Sequence, residues 1–278
     1  MTGTGRSGGA GTIVNAMATG RGAAFGLGFL VEARVRPADA WSVFSHGRRL
    51  PPAQSQLALR AARLVQGRSA HAGPWRIDVT SDIPPERGLK SSSAVAIAVV
   101  RAALDELGHA WGPTSILRAA AQANLDAGVS LTGAYDDAAA CLLGGVCLTD
   151  NGARRLVRRT RLPAGLEALV HIPPRRLPTR AVKGTDFSTI RPFVDQAWRL
   201  ARQGDLRAAM ALNTTAYAPL FGHTPRFTVA ALDEGAWAAG LSGKGPAEVA
   251  LGTPPTIRSL RRRFPRARRV PLRNRGVA

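Results

Sequence analysis

Between residues 29 and 35 apolar side chains fall on every second position, at Phe29, Val31, Ala33 and Val35. That is the period of a strand with one buried face. Residues 11–36 as a whole predict strand, glycine-rich loop, strand. The stretch QLALRAARLVQG at 56–67 predicts an amphipathic helix that stops at Gly67. Residues 75–84, WRIDVTSDIP, alternate again and end at Pro84, so they predict a strand. A helix with small residues inside is expected over 92–108. Another is expected over 114–128, with Thr114 as its N-cap and Gly128 as its stop. A third covers 136–143, followed by a strand and turn over 144–152. Further on, 168–180 predict a strand running into a Pro/Arg loop, and 189–202 and 205–218 predict helices. Residues 226–252 predict helix, glycine turn and strand; the tail predicts a helix at 256–263 and a strand at 267–272. The order holds no repeat and no regular strand–helix alternation, which favours an α+β class over a doubly wound sheet.

Composition narrows the class. The 278 residues are 45% hydrophobic and 20% charged, enough for a substantial core. The longest apolar run, 94–100, falls far short of the roughly 20 residues that cross a bilayer. Two cysteines, Cys141 and Cys147, make no disulfide framework and read as small core residues. With no apolar leader, the expected location is the cytoplasm. The net charge is +20, carried almost wholly by arginine, since lysine occurs only at 90, 183 and 244. Such a field draws in anionic substrates. It also suits nucleic-acid phosphates, but 5% aromatics are too few for a base-stacking platform. A solvated basic surface is the favoured reading.

Several motifs fail on inspection. GTGRSGG at 3–9 contains a literal G-x-G-x-x-G, yet it follows no expected strand and opens no helix. It reads as a floppy terminus. GLSGKGPAE at 240–248 resembles a Walker loop, but Ala238 stands where the first glycine belongs and Gly245 replaces the Ser/Thr. The histidines at 46, 71, 109, 171 and 223 form no i,i+4 pair, and two cysteines do not suggest structural zinc. No G-x-S-x-G elbow is present.

The stretch PPERGLKSSSA at 84–94 is different. Pro84 and Pro85 stiffen the approach, and Gly88 allows a left-handed bend. The amides of Leu89 to Ser92 then open a helix whose orphan N–H groups and dipole attract anions. The serines suit either capping or ligation of a hard cation, and Lys90 adds charge. Taken alone, the stretch fits an ordinary capped helix equally well.

Beside it stand GTIVNAMATGRGAAFGL at 11–27 and LSGKGPAEVALG at 241–252. In order and spacing the three resemble the substrate-side motif, the phosphate loop and the C-terminal glycine motif of the GHMP kinase superfamily. VSLTGAYDDAAACLLGGVCLTDN and the K-S-S-S form of the loop resemble the archaeal-type shikimate kinases within it. The resemblance implies a two-domain α+β GHMP kinase fold. Residues 1–150 would form a ribosomal S5 domain 2-like unit carrying the loop and the catalytic aspartate, and 151–278 a ferredoxin-like unit. The site would lie in the cleft between them.

It further implies ATP and Mg²⁺ as cofactors and shikimate as the acceptor. ATP phosphates would meet Pro84, Gly88, Leu89, Lys90, Ser91, Ser92, Ser93 and Ala94, supported by Gly243 and Gly245. Magnesium would sit on Ser92, shared with Asp126. Eleven residues on, Asp137 would orient or deprotonate the acceptor hydroxyl, with Asp136 as the neighbouring alternative. Adjacent helical side chains diverge by about 100°, so one of the pair should face the substrate. Capping of the helix start is the plain alternative for both. The acceptor's carboxylate needs a cation, with Arg21 first and Lys90 and Arg191 as further candidates. Arg87 either clamps a phosphate or faces solvent. A homo-oligomer is left open. Two rivals stand beside this reading: another GHMP kinase, such as a homoserine kinase, and a basic RNA-binding protein of S5-like fold.

Overall fold

The structure, a computed structural model, describes residues 2–67 and 73–277, so His71 lies outside the described residues. Two sheets organise it. The larger is built around β2 (Arg21–Pro37), a 17-residue strand long enough to pair with three others. β1 (Gly3–Val14) runs antiparallel along one edge. On the other edge β5 (Trp75–Ser81) takes the second half and β6 (Val146–Asp150) the first. The sheet continues through β3 (Ser42–Ser45) and β4 (Arg48–Arg49) at one side and β7 (Arg155–Thr160) at the other. β7 carries this sheet past the expected boundary at 150.

The expected terminus at 3–9 is a mostly buried strand, and its glycines explain the error. An added Cβ on Gly3 would lie 2.2 Å from the Ala102 carbonyl, and one on Gly5 2.2 Å from that of Ala98. Both carbonyls belong to α2 (Ser91–Glu106), which lies directly on β1. Glycine here marks a close approach of two backbones rather than freedom. Along β2 the expected face holds: Phe29, Val31, Ala33 and Val35 are buried.

Around α2 gather α1 (Pro52–Gln66), α3 (Pro113–Asp126) and α4 (Tyr135–Leu143). α3 begins on Gly112 with Pro113 in its first turn, so Thr114 is not the N-cap. Proline has φ already set for that position and no N–H to leave unpaired. Cys141 and Cys147 are buried and unpaired, as expected of core residues.

The second sheet is antiparallel, in the order β11 (Arg268–Val270), β8 (Glu167–His171), β10 (Glu248–Gly252), β9 (Ala238–Leu241). It carries α7 (Arg226–Asp233) and α8 (Pro254–Arg263), with α5 (Arg191–Gln203) and α6 (Leu206–Leu220) reaching toward β1 and β2. After β11 the chain returns to the first sheet, where Gly28 donates to Pro271 and Gly145 to Arg273.

Candidate active site

Gly88 has φ +81, and an added Cβ would lie 2.0 Å from the Ser242 carbonyl. The left-handed bend therefore lets the 84–90 loop rest on the turn between β9 and β10. Ser242 fastens the contact: its Oγ donates to the Gly88 carbonyl at 2.8 Å. Ala247 N donates to the Arg87 carbonyl at 3.1 Å. From β1, Thr12 Oγ1 accepts from Gly243 N at 2.8 Å, and Thr12 N donates to Ser242 Oγ. The three sequence motifs thus meet around one buried serine that sequence reading had not singled out.

The loop delivers the chain into α2 through Lys90, itself left-handed at φ 67 and bearing no side-chain cap. The first intrahelical bond there is Ala94 N to the Lys90 carbonyl. Amides of the first turn, Ser91 to Ser93, have no partner within the helix. The serine side chains do not cap it, and Ser93 Oγ is buried without a hydrogen-bond partner at 1% residue exposure. Plain helix capping is thereby set aside as the use of these hydroxyls. Leu89 is packed into the core and anchors the loop.

α4 begins on left-handed Ala134 and places two carboxylates in its first turn. They diverge as helical geometry requires. Asp137 Oδ1 lies 3.0 Å from Lys90 Nζ, with the two side chains 15% and 8% exposed. The contact is an ion pair without hydrogen-bond alignment. Asp136 turns the other way, at 4% exposure. Its Oδ1 accepts from Asn151 Nδ2 at 2.8 Å, and its carboxylate lies against Gly22 of β2. Thr149 Oγ1 donates to the Asn151 oxygen at 2.7 Å and holds that amide in place. Burial, followed by the neighbouring Asp137 charge, pushes the Asp136 carboxyl up to about 7; Lys90 and the Asn151 bond oppose the rise.

Lys244, on the β9–β10 turn, joins the cluster. Its Nζ donates to Thr179 Oγ1 at 2.9 Å. Burial and the like charge of Lys90 bring its pKa down to about 8. Lys90 itself reaches over the same turn, since an added Cβ on Gly243 would come 2.9 Å from its Nζ. The 15–20 loop closes the other side. Tyr217 OH donates to the Asn15 carbonyl and accepts from Ala18 N, while Asn213 Oδ1 accepts from Asn15 N. Asn and Tyr inside an apolar helix were the available signal for this clamp.

Other expected residues lie differently. Asp126 is exposed at the end of α3 and accepts from Gln122 at 2.6 Å. Among the described residues no group of three or more His, Cys, Asp or Glu side chains is placed to hold a metal ion. Arg21 is engaged by Asp195, and its guanidinium stacks 4.8 Å from the Trp198 ring. Arg191 is exposed at the start of α5. Arg87 is half-buried rather than turned to open solvent. It donates to the carbonyls of Pro173 and Arg175, tying the loop to the segment after β8.

An uncapped helix start with the Lys90 ammonium at its mouth, facing the Asp137 carboxylate, is equipped to hold phosphates beside a hydroxyl. Residues 56–145 match the profile of the GHMP kinases N terminal domain. The fold is like that of homoserine kinase from Cytophaga hutchinsonii, with a TM-score of 0.75 at 19% identity over 99% of this chain and 96% of that one. In sequence the chain is 37% identical to a shikimate kinase of Methanothermobacter thermautotrophicus, over 88% of this chain and 86% of the relative. It is 38% identical to that of Pyrococcus abyssi, over 92% and 93%. The chain belongs to the GHMP kinases, in the family of these archaeal shikimate kinases.

Proposed function

We propose that this protein transfers the γ-phosphoryl group of ATP to a hydroxyl of shikimate, giving shikimate 3-phosphate. The observation that carries the phosphoryl-transfer reading is the uncapped start of α2, with Lys90 upon it held against Asp137. The acceptor follows from the relatives, which match almost the whole chain.

Phosphoryl transfer calls for positioning and charge neutralisation rather than covalent help from the protein. The amides of Ser91 to Ser93 would hold phosphate oxygens, and Ser93 Oγ would gain the partner it lacks. Lys90 would shift its charge from Asp137 to the nucleotide, leaving that carboxylate to orient the acceptor hydroxyl. The donors fit Mg²⁺, which prefers hard oxygens and keeps most of its shell from phosphates and water. Ser92 would hold it, and Asp126, at the exposed end of α3, is the carboxylate that the family resemblance would add. When bound, the ion neutralises charge between the phosphates. On the acceptor side, Arg21 is assigned to the shikimate carboxylate. Asp195 engages one of its nitrogens, and the guanidinium fork has further donors. We place the protein in the cytoplasm; no helix among the described residues is long and apolar enough to cross a membrane.

A second reading gives Asp136 the proton, because a carboxyl raised to about 7 is matched to base catalysis near neutral pH. Asp137→Asn and Asp136→Asn separate the two. Our reading expects Asp137→Asn to lower kcat at least a hundredfold while ATP still binds, with Asp136→Asn milder. The reverse order would move the role to Asp136.

A further inference from the structure

Among the described residues, no carboxylate forms an ion pair with the Lys244 ammonium group. The contact found for its Nζ is the neutral Thr179 hydroxyl, at 2.9 Å. Of the charges around it, Lys90 repels, and Asp137 is already in contact with Lys90 at 3.0 Å. Glu86 attracts from an exposed position on the loop. Two ammonium groups therefore lie near a single largely buried carboxylate, Asp137, which among the described residues is ion-paired with Lys90 alone, an arrangement that costs free energy unless an anion completes it.

The surroundings hold Lys244 ready rather than locked. Its backbone is fixed, since His223 Nε2 bonds its carbonyl at 2.8 Å and Gly245 N closes the turn onto Ser242. Thr179 is fixed as well, donating to the Val129 carbonyl at 3.0 Å. What remains movable is a four-carbon side chain resting on a hydroxyl, a weak partner for a cation. Its field falls on Asp137, the carboxylate assigned to the acceptor, and on Lys90 at the mouth of α2. On the function proposed above, that is where the nucleotide's last phosphate would meet the acceptor hydroxyl.

We propose that Lys244 leaves Thr179 to grip the phosphoryl group being transferred, so that it distinguishes a nucleoside triphosphate from a diphosphate. The inference rests on reading the α2 loop as a nucleotide site and is independent of which acceptor is used.

The scarcity of lysine makes it testable in the unaltered full-length protein. Lys90, Lys183 and Lys244 are the chain's three lysines, and Lys183 is exposed and serves as control. The protein would be treated with a lysine-acylating reagent plus Mg²⁺, alone, with ADP, or with a non-hydrolysable ATP analogue. Labelling at each lysine is read by mass spectrometry, and nucleotide binding is measured in the same samples. The expected result is that the triphosphate slows labelling of Lys244 about tenfold, ADP changes it less than about twofold, and Lys183 is unaffected. A charge-assisted hydrogen bond of the usual strength corresponds to about that factor. Equal protection by both nucleotides, or none while they are bound, overturns the role of Lys244 and leaves the nucleotide site standing. Failure to bind either nucleotide overturns both. As a second measurement, Lys244→Met should raise the triphosphate Kd about tenfold and leave that of ADP unchanged, with partial recovery in Lys244→Arg. Equal loss for both nucleotides contradicts the proposal.

Discussion

Asp136 and Asp137 are neighbours in sequence and opposite in environment. Asp137 is an ion-paired carboxylate at the loop, whereas Asp136 is buried against Gly22 and held by Asn151. A folded-state pKa raised to about 7 from 3.8 has a definite stability signature. Below both values the two states bind the proton equally and nothing is lost. Between them the folded chain keeps a proton that the unfolded chain gives up, so stability falls as pH rises, and the full penalty is present above 7. Asp136→Asn removes that penalty and can still accept from Asn151. The variant should therefore gain stability relative to the parent at pH 8 over pH 5, by roughly 2 kcal/mol. Denaturant melts at the two pH values check it; an equal difference at both would show that Asp136 carries its charge in the folded protein without penalty. Sequence could name this pair and require the two to diverge. It could not say which way each points, because Gly22 comes from β2, Thr149 from β6 and Asn151 from the turn that follows β6. Lys244 was likewise invisible as a site residue: it stood in a failed Walker match, and its meaning came from Thr179 and Lys90, distant in the chain.

At the level of elements, helices and alternating strands were legible because each carries its own period. β2 and α2 are where the pattern puts them, to within a few residues. The first half of β1 was lost because Gly3 and Gly5 sit where a strand would show apolar side chains, the space being filled by the α2 backbone. β7 was lost because RLVRRT is half-exposed and basic and shows no alternation. The close approach of β1 and α2 fixes the start of the helix relative to the sheet, and so the loop that α2 carries. Gly5→Val should thus lower stability by about 3 kcal/mol or more, since the clash is with backbone and no side chain can yield. Urea unfolding reads this directly. An unchanged midpoint would mean that α2 can lift from β1 without loss, and the rigidity assigned to the loop would fall with it.

Across the whole molecule the arginine excess has a structural use that charge counting did not suggest. Arg159 donates to the Leu143 and Gly144 carbonyls, and Arg273 to those of Ala140 and Cys141, so two guanidinium groups close the C-terminal end of α4. Cations belong at that end of a helix. Arg273 comes from the strap that returns after β11, so the α4 that presents Asp137 is held from both halves of the chain. The 84–90 loop is held in the same way, by Ser242 from the second sheet and by Arg87 on the segment after β8. The site is a product of the two sheets meeting, which is why three separated motifs had to be read together to see it. The most direct test of the account is phosphorylation by the purified protein, with ATP and Mg²⁺, of a panel holding shikimate, homoserine and mevalonate. Shikimate alone should be turned over, with ADP and shikimate 3-phosphate formed in equal amounts. Turnover of homoserine with shikimate untouched would contradict it.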